Sequence, residues 1–170
     1  MQNERGPGGP PPATPLSNHL NEAGEAHMVD VGPKAPTQRR ARAEARVQIS
    51  AGTLERLRQG DAPKGDVLAA ARIAGIQGAK RTAELIPLCH PVALTRVEVS
   101  LEFAPWGVRV TATAEAFDRT GVEMEAMVAA SVAALTLYDM LKGIERGISY
   151  SVHLVEKTGG RSGTWRPESP

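Results

Sequence analysis

Residues 121–143 read GVEMEAMVAASVAALTLYDMLKG, and the thirteen positions from Ala126 to Tyr138 carry no charge. Glu123 and Glu125 open the stretch, while Asp139 and Lys142 close it. A surface helix shows a polar face at a period of 3.6, but here only Ser131 and Thr136 interrupt the apolar middle. The pattern therefore predicts one helix covered on several sides, with alanines that let neighbouring backbones come close. Charges at its two rims are either solvated caps or groups kept there for chemistry. At about 1.5 Å per residue the helix holds Glu123 and Asp139 about 24 Å apart, too far to serve one small molecule within one chain. If both rims are functional, the sites are expected to lie between subunits.

The 170-residue chain has 41% hydrophobic residues, enough for the core of one domain. A formal net charge of +1 gives no overall pull toward nucleic acid or a membrane surface, so any polyanion site must be local. Cys89 is the only cysteine, which excludes an intrachain disulfide and a multi-cysteine metal centre. No apolar run is long enough to be a signal peptide or a membrane span, and a cytoplasmic location is expected. Aromatics at 4% leave few stacking platforms for bases.

Residues 1–17 are Pro- and Gly-rich and are expected to be a disordered tail. Residues 18–163 form the expected single catalytic domain with an N-terminal arm, and 164–170 are expected to be a flexible C-terminus. Alternation from Ala41 to Ile49 predicts a first strand. A short helix is expected over Thr53–Gln59, with Ser50 or Thr53 as cap, and a longer one over Val67–Glu84 with Asp66 as cap. Pro87 and Pro91 pin Leu88-Cys89-His90 in an extended loop. Two strands, Thr95–Phe103 and Val108–Phe117, flank a hairpin turn at 104–107, and a last strand covers Ile148–Val155. The order strand, helix, strand, strand, helix, strand predicts an α+β fold of the ferredoxin-like split βαβ kind: a four-stranded antiparallel sheet with helices on one face and one extra short helix in the first crossover.

Several residues invite chemistry. Lys64 precedes a helix N-terminus, a place that suits an anion, although an isolated KGD also reads as a solvated turn. His90 is rigidly presented, as a binding or proton-transfer residue requires. Cys89 reads as packed rather than nucleophilic, since no adjacent base is evident. Asp139 and Lys142, three apart, share a helix face and can pair; placed after an uncharged run, the lysine could have its pKa lowered into acid–base range. Glu123 and Glu125 cannot both point the same way. GGRSG near the end has the composition of a phosphate loop without the Walker pattern, and a flexible tail explains it equally well.

HMVDV (27–31), KGDVLAAARIAGIQGAKRT (64–82), LIPLCHP (85–91), TGVEMEAMVAASVAALTLYDMLK (120–142) and KTGGRSG (157–163), in this order, closely resemble the cyclic pyranopterin monophosphate synthase family, molybdenum cofactor biosynthesis protein C. The resemblance implies a ferredoxin-like lyase that assembles as a hexamer, a trimer of dimers, with intersubunit sites. It implies conversion of 3′,8-cyclo-7,8-dihydro-GTP to cyclic pyranopterin monophosphate with release of pyrophosphate. Carried over by position, it makes Lys64, Lys142, Asp139, His90 and Glu123 the catalytic set. Leu88, Cys89, His90, Met124 and Glu125 become substrate contacts, one glutamate suiting a guanine-like N–H edge, and Arg39 a phosphate ligand. No metal ligands are expected and the sequence shows no required cofactor; it does not settle whether Mg2+ accompanies the triphosphate. The rival reading is a non-catalytic ligand- or RNA-binding module of the same fold. Scarce strand aromatics and balanced charge count against RNA.

Overall fold

The structure, a computed structural model, describes residues 19–21 and 23–168. The expected tail at 1–17 lies outside these, as do the last two residues of the expected C-terminal end.

Strand β1 (Thr37–Gln48) buries Ala41, Ala43, Ala45 and Val47 and turns Arg40, Arg42, Glu44 and Arg46 to the other face. It begins four residues before the alternating pattern does, because backbone pairing alone carries it from Thr37 opposite Asp118. Helix α1 (Ala51–Arg58) is capped by Ser50, whose side chain accepts from Thr53 N. Helix α2 (Val67–Lys80) is capped by Asp66, which accepts from Ala69 N at 2.9 Å. The helix expected to continue to Glu84 breaks at Arg81, where φ is −114°, and one turn resumes as α3 (Thr82–Leu85). β2 (Leu94–Ala104) and β3 (Gly107–Asp118) form the hairpin. A Cβ on Gly107, φ +143°, would sit 2.0 Å from the Val47 carbonyl oxygen, so the corner requires glycine. Helix α4 (Glu123–Leu141) and strand β4 (Ser149–Thr158) complete the chain.

The sheet order is β2-β3-β1-β4 with every pairing antiparallel. This is the expected α+β architecture, and the order is compatible with the ferredoxin-like arrangement. The open face carries ion pairs such as Arg40–Glu115 at 3.3 Å and Arg42–Glu156 at 3.7 Å, with Arg46 over the Trp106 ring. The core is alanine, valine and leucine, with no fully buried aromatic among the described residues. The expected free end also differs at Trp165, which is joined to Lys157 by two backbone hydrogen bonds of 2.9 and 3.0 Å.

By length and composition α4 could cross a membrane. Its place in the core accounts for that apolarity: Ala126, Ala129, Ala130, Ala133, Ala134 and Leu137 are fully buried. Ser131 and Thr136 turn their hydroxyls back to the Met127 and Val132 carbonyls, which satisfies the two polar interruptions inside the helix. Cover is incomplete on the outside, where Leu135 is 53% exposed and Ile73 of α2 58%.

Helices α2 and α4 approach through glycine. A Cβ on Gly75 would lie 2.9 Å from the Ala129 carbonyl oxygen and 3.1 Å from Ala133 Cβ, and one on Gly78 would lie 2.9 Å from Val132 Cγ2. Gly→Ala inside a helix normally gains roughly 0.5–1 kcal/mol. Overpacking against backbone costs about 1–3 kcal/mol, so the clash wins. Gly75→Ala is expected to lower the unfolding midpoint in a thermal melt, whereas an unchanged or raised midpoint would show that α2 can move outward freely.

Candidate active site

The arm before β1, the loop after α3, the turn into α4 and the loop after β4 enclose a pocket of about 1140 Å³. Its walls bring together Arg39, Leu88, Cys89, His90, Glu123, Met124 and Glu125, all expected from the sequence. They also bring Lys34, Arg119, Lys157 and Arg161, which the sequence reading did not assign to a site. Five basic side chains thus face three acidic ones, Asp30, Glu123 and Glu125, within a chain of almost balanced charge. The local excess suits an anion, and the glutamates suit a hydrogen-bond-donating edge beside it.

Each element is aimed by local chemistry. The loop after α3 is a turn in its first half, closed by Cys89 N donating to the Ile86 carbonyl at 3.1 Å, rather than extended throughout as expected. His90 Nε2 lies 2.8 Å from the Val29 carbonyl. A carbonyl only accepts, so Nε2 carries the proton and Nδ1 remains for other work. Arg39 donates from Nε to the Asp118 carbonyl at 3.2 Å and from Nη2 to that of Arg119 at 3.1 Å. The C-terminal loop fits around the same guanidinium: Gly160 has φ +72°, and a Cβ there would fall 1.8 Å from Arg39 Nη1. Arg39 therefore builds the pocket as well as charging it. Lys157 Nζ is hydrogen-bonded to Ser162 Oγ in that loop.

At the start of α4, Val122 offers no side-chain cap. Glu125 is 4% exposed, and burial, reinforced by neighbouring Glu123 and Asp118, pushes its carboxyl above the usual range. Burial, with the nearby Glu125 charge, also raises the Cys89 thiol, which fits the packed rather than nucleophilic reading. Glu123 curls back so far that a Cβ on Gly121 would lie 1.8 Å from its Oε2. Thr120 Oγ1, buried in the same turn, has no partner among the described residues.

Lys64, Asp139 and Lys142 are not in this pocket; they form a separate cluster at the other end of α4. Lys64 Nζ donates to Asp139 Oδ2 at 2.9 Å and to its carbonyl at 2.8 Å, and Lys142 Nζ lies 2.7 Å from Asp139 Oδ1. A cation on the last carbonyls of a helix is favoured by the helix dipole. Glu145 fastens this end by accepting from Ser50 N and Oγ, the latter at 2.8 Å. The expected downward shift of Lys142 is corrected. Its side chain is 51% exposed, and the hydrogen bond and charge of Asp139 raise its pKa, because α4 projects past its covered stretch here.

Among the described residues no group of three or more His, Cys, Asp or Glu could hold a metal ion.

An α+β domain with a mixed basic and carboxylate pocket is the frame of an enzyme acting on a small phosphorylated molecule. Residues 28–160 match the model of the MoaC family. The chain is 56% identical over 153 residues to a cyclic pyranopterin monophosphate synthase of Thermomicrobium roseum, covering 88% of this chain and 92% of that protein. It is 54% identical over 149 residues to the synthase of Novosphingobium aromaticivorans, covering 87% and 95%, and 53% identical over 156 residues to that of Streptomyces avermitilis, covering 91% and 92%. The chain belongs to the MoaC family.

The hydrogen bonds from Lys142 and Lys64 hold the Asp139 carboxyl down at about 2, against an ordinary 3.8. A depressed carboxylate contributes stability above its ordinary pKa and loses it as pH falls through the lowered one, so this cluster should stay paired until pH drops below about 4 and come apart toward about 2. Carboxyl-carbon NMR should place the Asp139 midpoint near the lower figure, and Lys142→Ala should move it upward. A midpoint near 3.8 in the unmodified chain would mean that the cluster does not exist in solution.

Proposed function

We infer that this chain is a lyase of molybdenum cofactor biosynthesis that converts 3′,8-cyclo-7,8-dihydro-GTP to cyclic pyranopterin monophosphate and releases pyrophosphate. The observation that carries the reading is the pocket itself, where five basic side chains stand opposite the glutamates of the α4 N-terminus. Such a pocket suits a molecule with a triphosphate at one end and a guanine-derived ring at the other.

Forming a cyclic monophosphate while releasing pyrophosphate requires a substrate hydroxyl to attack the α-phosphorus as the bond to the bridging oxygen breaks. A base must take the hydroxyl proton, and cations must offset charge on the departing pyrophosphate. Ring opening and reclosure on the way to the pterin need further proton transfers. Lys34, Arg39, Arg119, Lys157 and Arg161 supply the cationic side. Glu125, with Glu123 beside it, accepts from the ring's N–H and amino edge, and Leu88, Cys89 and Met124 line the ring. His90 offers Nδ1 while Nε2 is engaged with the arm. Lys64, Lys142 and Asp139 are the acid–base group.

These last three lie at the wrong end of α4 to reach the same pocket. A working site therefore combines the pocket of one subunit with the Lys64–Asp139–Lys142 cluster of another, in a homo-oligomer that we take to be a hexamer built as a trimer of dimers. The exposed Ile73 and Leu135 support burial of the helical layer against other copies. The single cysteine, and the use of the one long apolar helix as core, support a cytoplasmic location.

Supplied with the cyclised GTP derivative, the purified chain should release pyrophosphate and form the cyclic pterin monophosphate. Lys64→Ala and Lys142→Ala should each reduce turnover by about a hundredfold or more while leaving oligomer size unchanged. Near-normal turnover in either variant would remove that lysine from the chemistry.

A further inference from the structure

Arg119 is not a free cation at the pocket rim, because three of its polar groups are engaged. Its N–H donates to Asp118 Oδ1 at 2.6 Å, its carbonyl accepts from Arg39 Nη2 at 3.1 Å, and its Nε donates to the Lys34 carbonyl at 3.0 Å. The first two contacts fix the residue at the end of β3, just before the turn that leads to Glu123 and Glu125. The third reaches the arm, 85 positions away in sequence. The same arm is held at its other end by His90 on the Val29 carbonyl at 2.8 Å. Between these tethers the chain is folded tightly: Gly32 N donates to Asp30 Oδ1 at 2.8 Å and Lys34 N to the Val31 carbonyl at 3.0 Å. Asp30, Val31 and Pro33 of this strap line the pocket.

We propose that Arg119 is a positioning residue. Its guanidinium ties the strap Val29–Lys34 to the turn that carries the α4 glutamates, so that two walls of the pocket are set as one unit. A guanidinium suits this task because it is planar, always charged and has several donors, so Nε can hold a carbonyl while the remaining N–H groups stay available. Lysine keeps the charge but has no Nε at a fixed place on a planar fork. The inference rests on the pocket being the substrate site.

The test uses the full-length chain and two readouts. Trypsin needs the chain around Lys34 extended, so cleavage there is favoured when the tight turns and tethers of the strap let go, and it then follows the population of the open form. Losing a hydrogen bond made by a charged group should raise the rate of cleavage after Lys34 in Arg119→Lys by about tenfold. The same variant should lose kcat in the pyrophosphate-release assay, with the loss not rescued by saturating substrate. The proposal is overturned if Arg119→Lys keeps the strap protected, or if the strap loosens while kcat stays normal. It is also overturned if Arg119→Ala raises only KM and Arg119→Lys restores it, since that result makes Arg119 a plain phosphate ligand. Arg119 is exposed, so both variants are expected to fold. Turnover by the unmodified chain is the control: its absence refutes the assigned reaction, while the cleavage assay, which uses no substrate, still reads the strap.

Discussion

A nineteen-residue helix is a rigid spacer, and the chemistry of this chain is arranged around that fact. Helix α4 holds one set of ionisable groups in a concave pocket and another on an open surface about 24 Å away. Nothing in the fold can shorten the distance, because the middle of the helix is locked against the sheet by alanines and against α2 through Gly75 and Gly78. Close packing of small residues gives little side-chain freedom and so fixes both ends well. If the groups at both ends serve one reaction, as we propose, they can act together only across subunits.

The two ends differ in electrostatics for the same structural reason. At the start of α4, neighbouring elements close over the helix and Glu125 is buried, which raises its carboxyl above the usual range. At the far end the helix projects into solvent, and Asp139 between two ammonium groups is strongly depressed. An exposed ion pair of this kind contributes little to stability. Its more useful property is that it presents two lysines and a carboxylate in fixed relation, ready for a second surface to cover them. We take the pocket to be the complementary half. Its basic residues are oriented by backbone carbonyls, as Arg39 and Arg119 show, so part of its positive charge is set in place before any ligand arrives.

Much of this was legible in the sequence, and the reasons are local. Alternation marked β1, Asp66 and Ser50 marked helix starts, and the uncharged run at 126–138 marked the core helix. The separation of the two charged rims of α4 followed from helix length alone. What escaped had no local signal. Arg119 is an ordinary arginine at a strand end until Lys34, far away in sequence, is laid beside it. Lys157 and Arg161 sit in a loop whose sequence suggested either a phosphate cradle or a free end; the pairing of Trp165 with Lys157 and the fit of Gly160 around Arg39 are tertiary facts. The break at Arg81 was likewise not announced, since Gly78, three residues before it, lies within the helix and serves the contact with α4. The direction of the Lys142 shift was misread because an apolar run suggested burial where the helix in fact emerges.

The claim at the centre of this account is that one catalytic site needs the α4 start of one subunit and the Lys64 cluster of another. Mixing two variants tests it most directly: Glu125→Ala and Lys64→Ala, each expected to be inactive alone, are combined in equal amounts by exchange of subunits. In mixed oligomers about one quarter of the sites should then hold both intact halves, so pyrophosphate release should return to about that fraction of the unmodified level. A mixture that exchanges subunits fully yet stays as inactive as either variant would contradict the account, because it would place both halves of the site in a single chain.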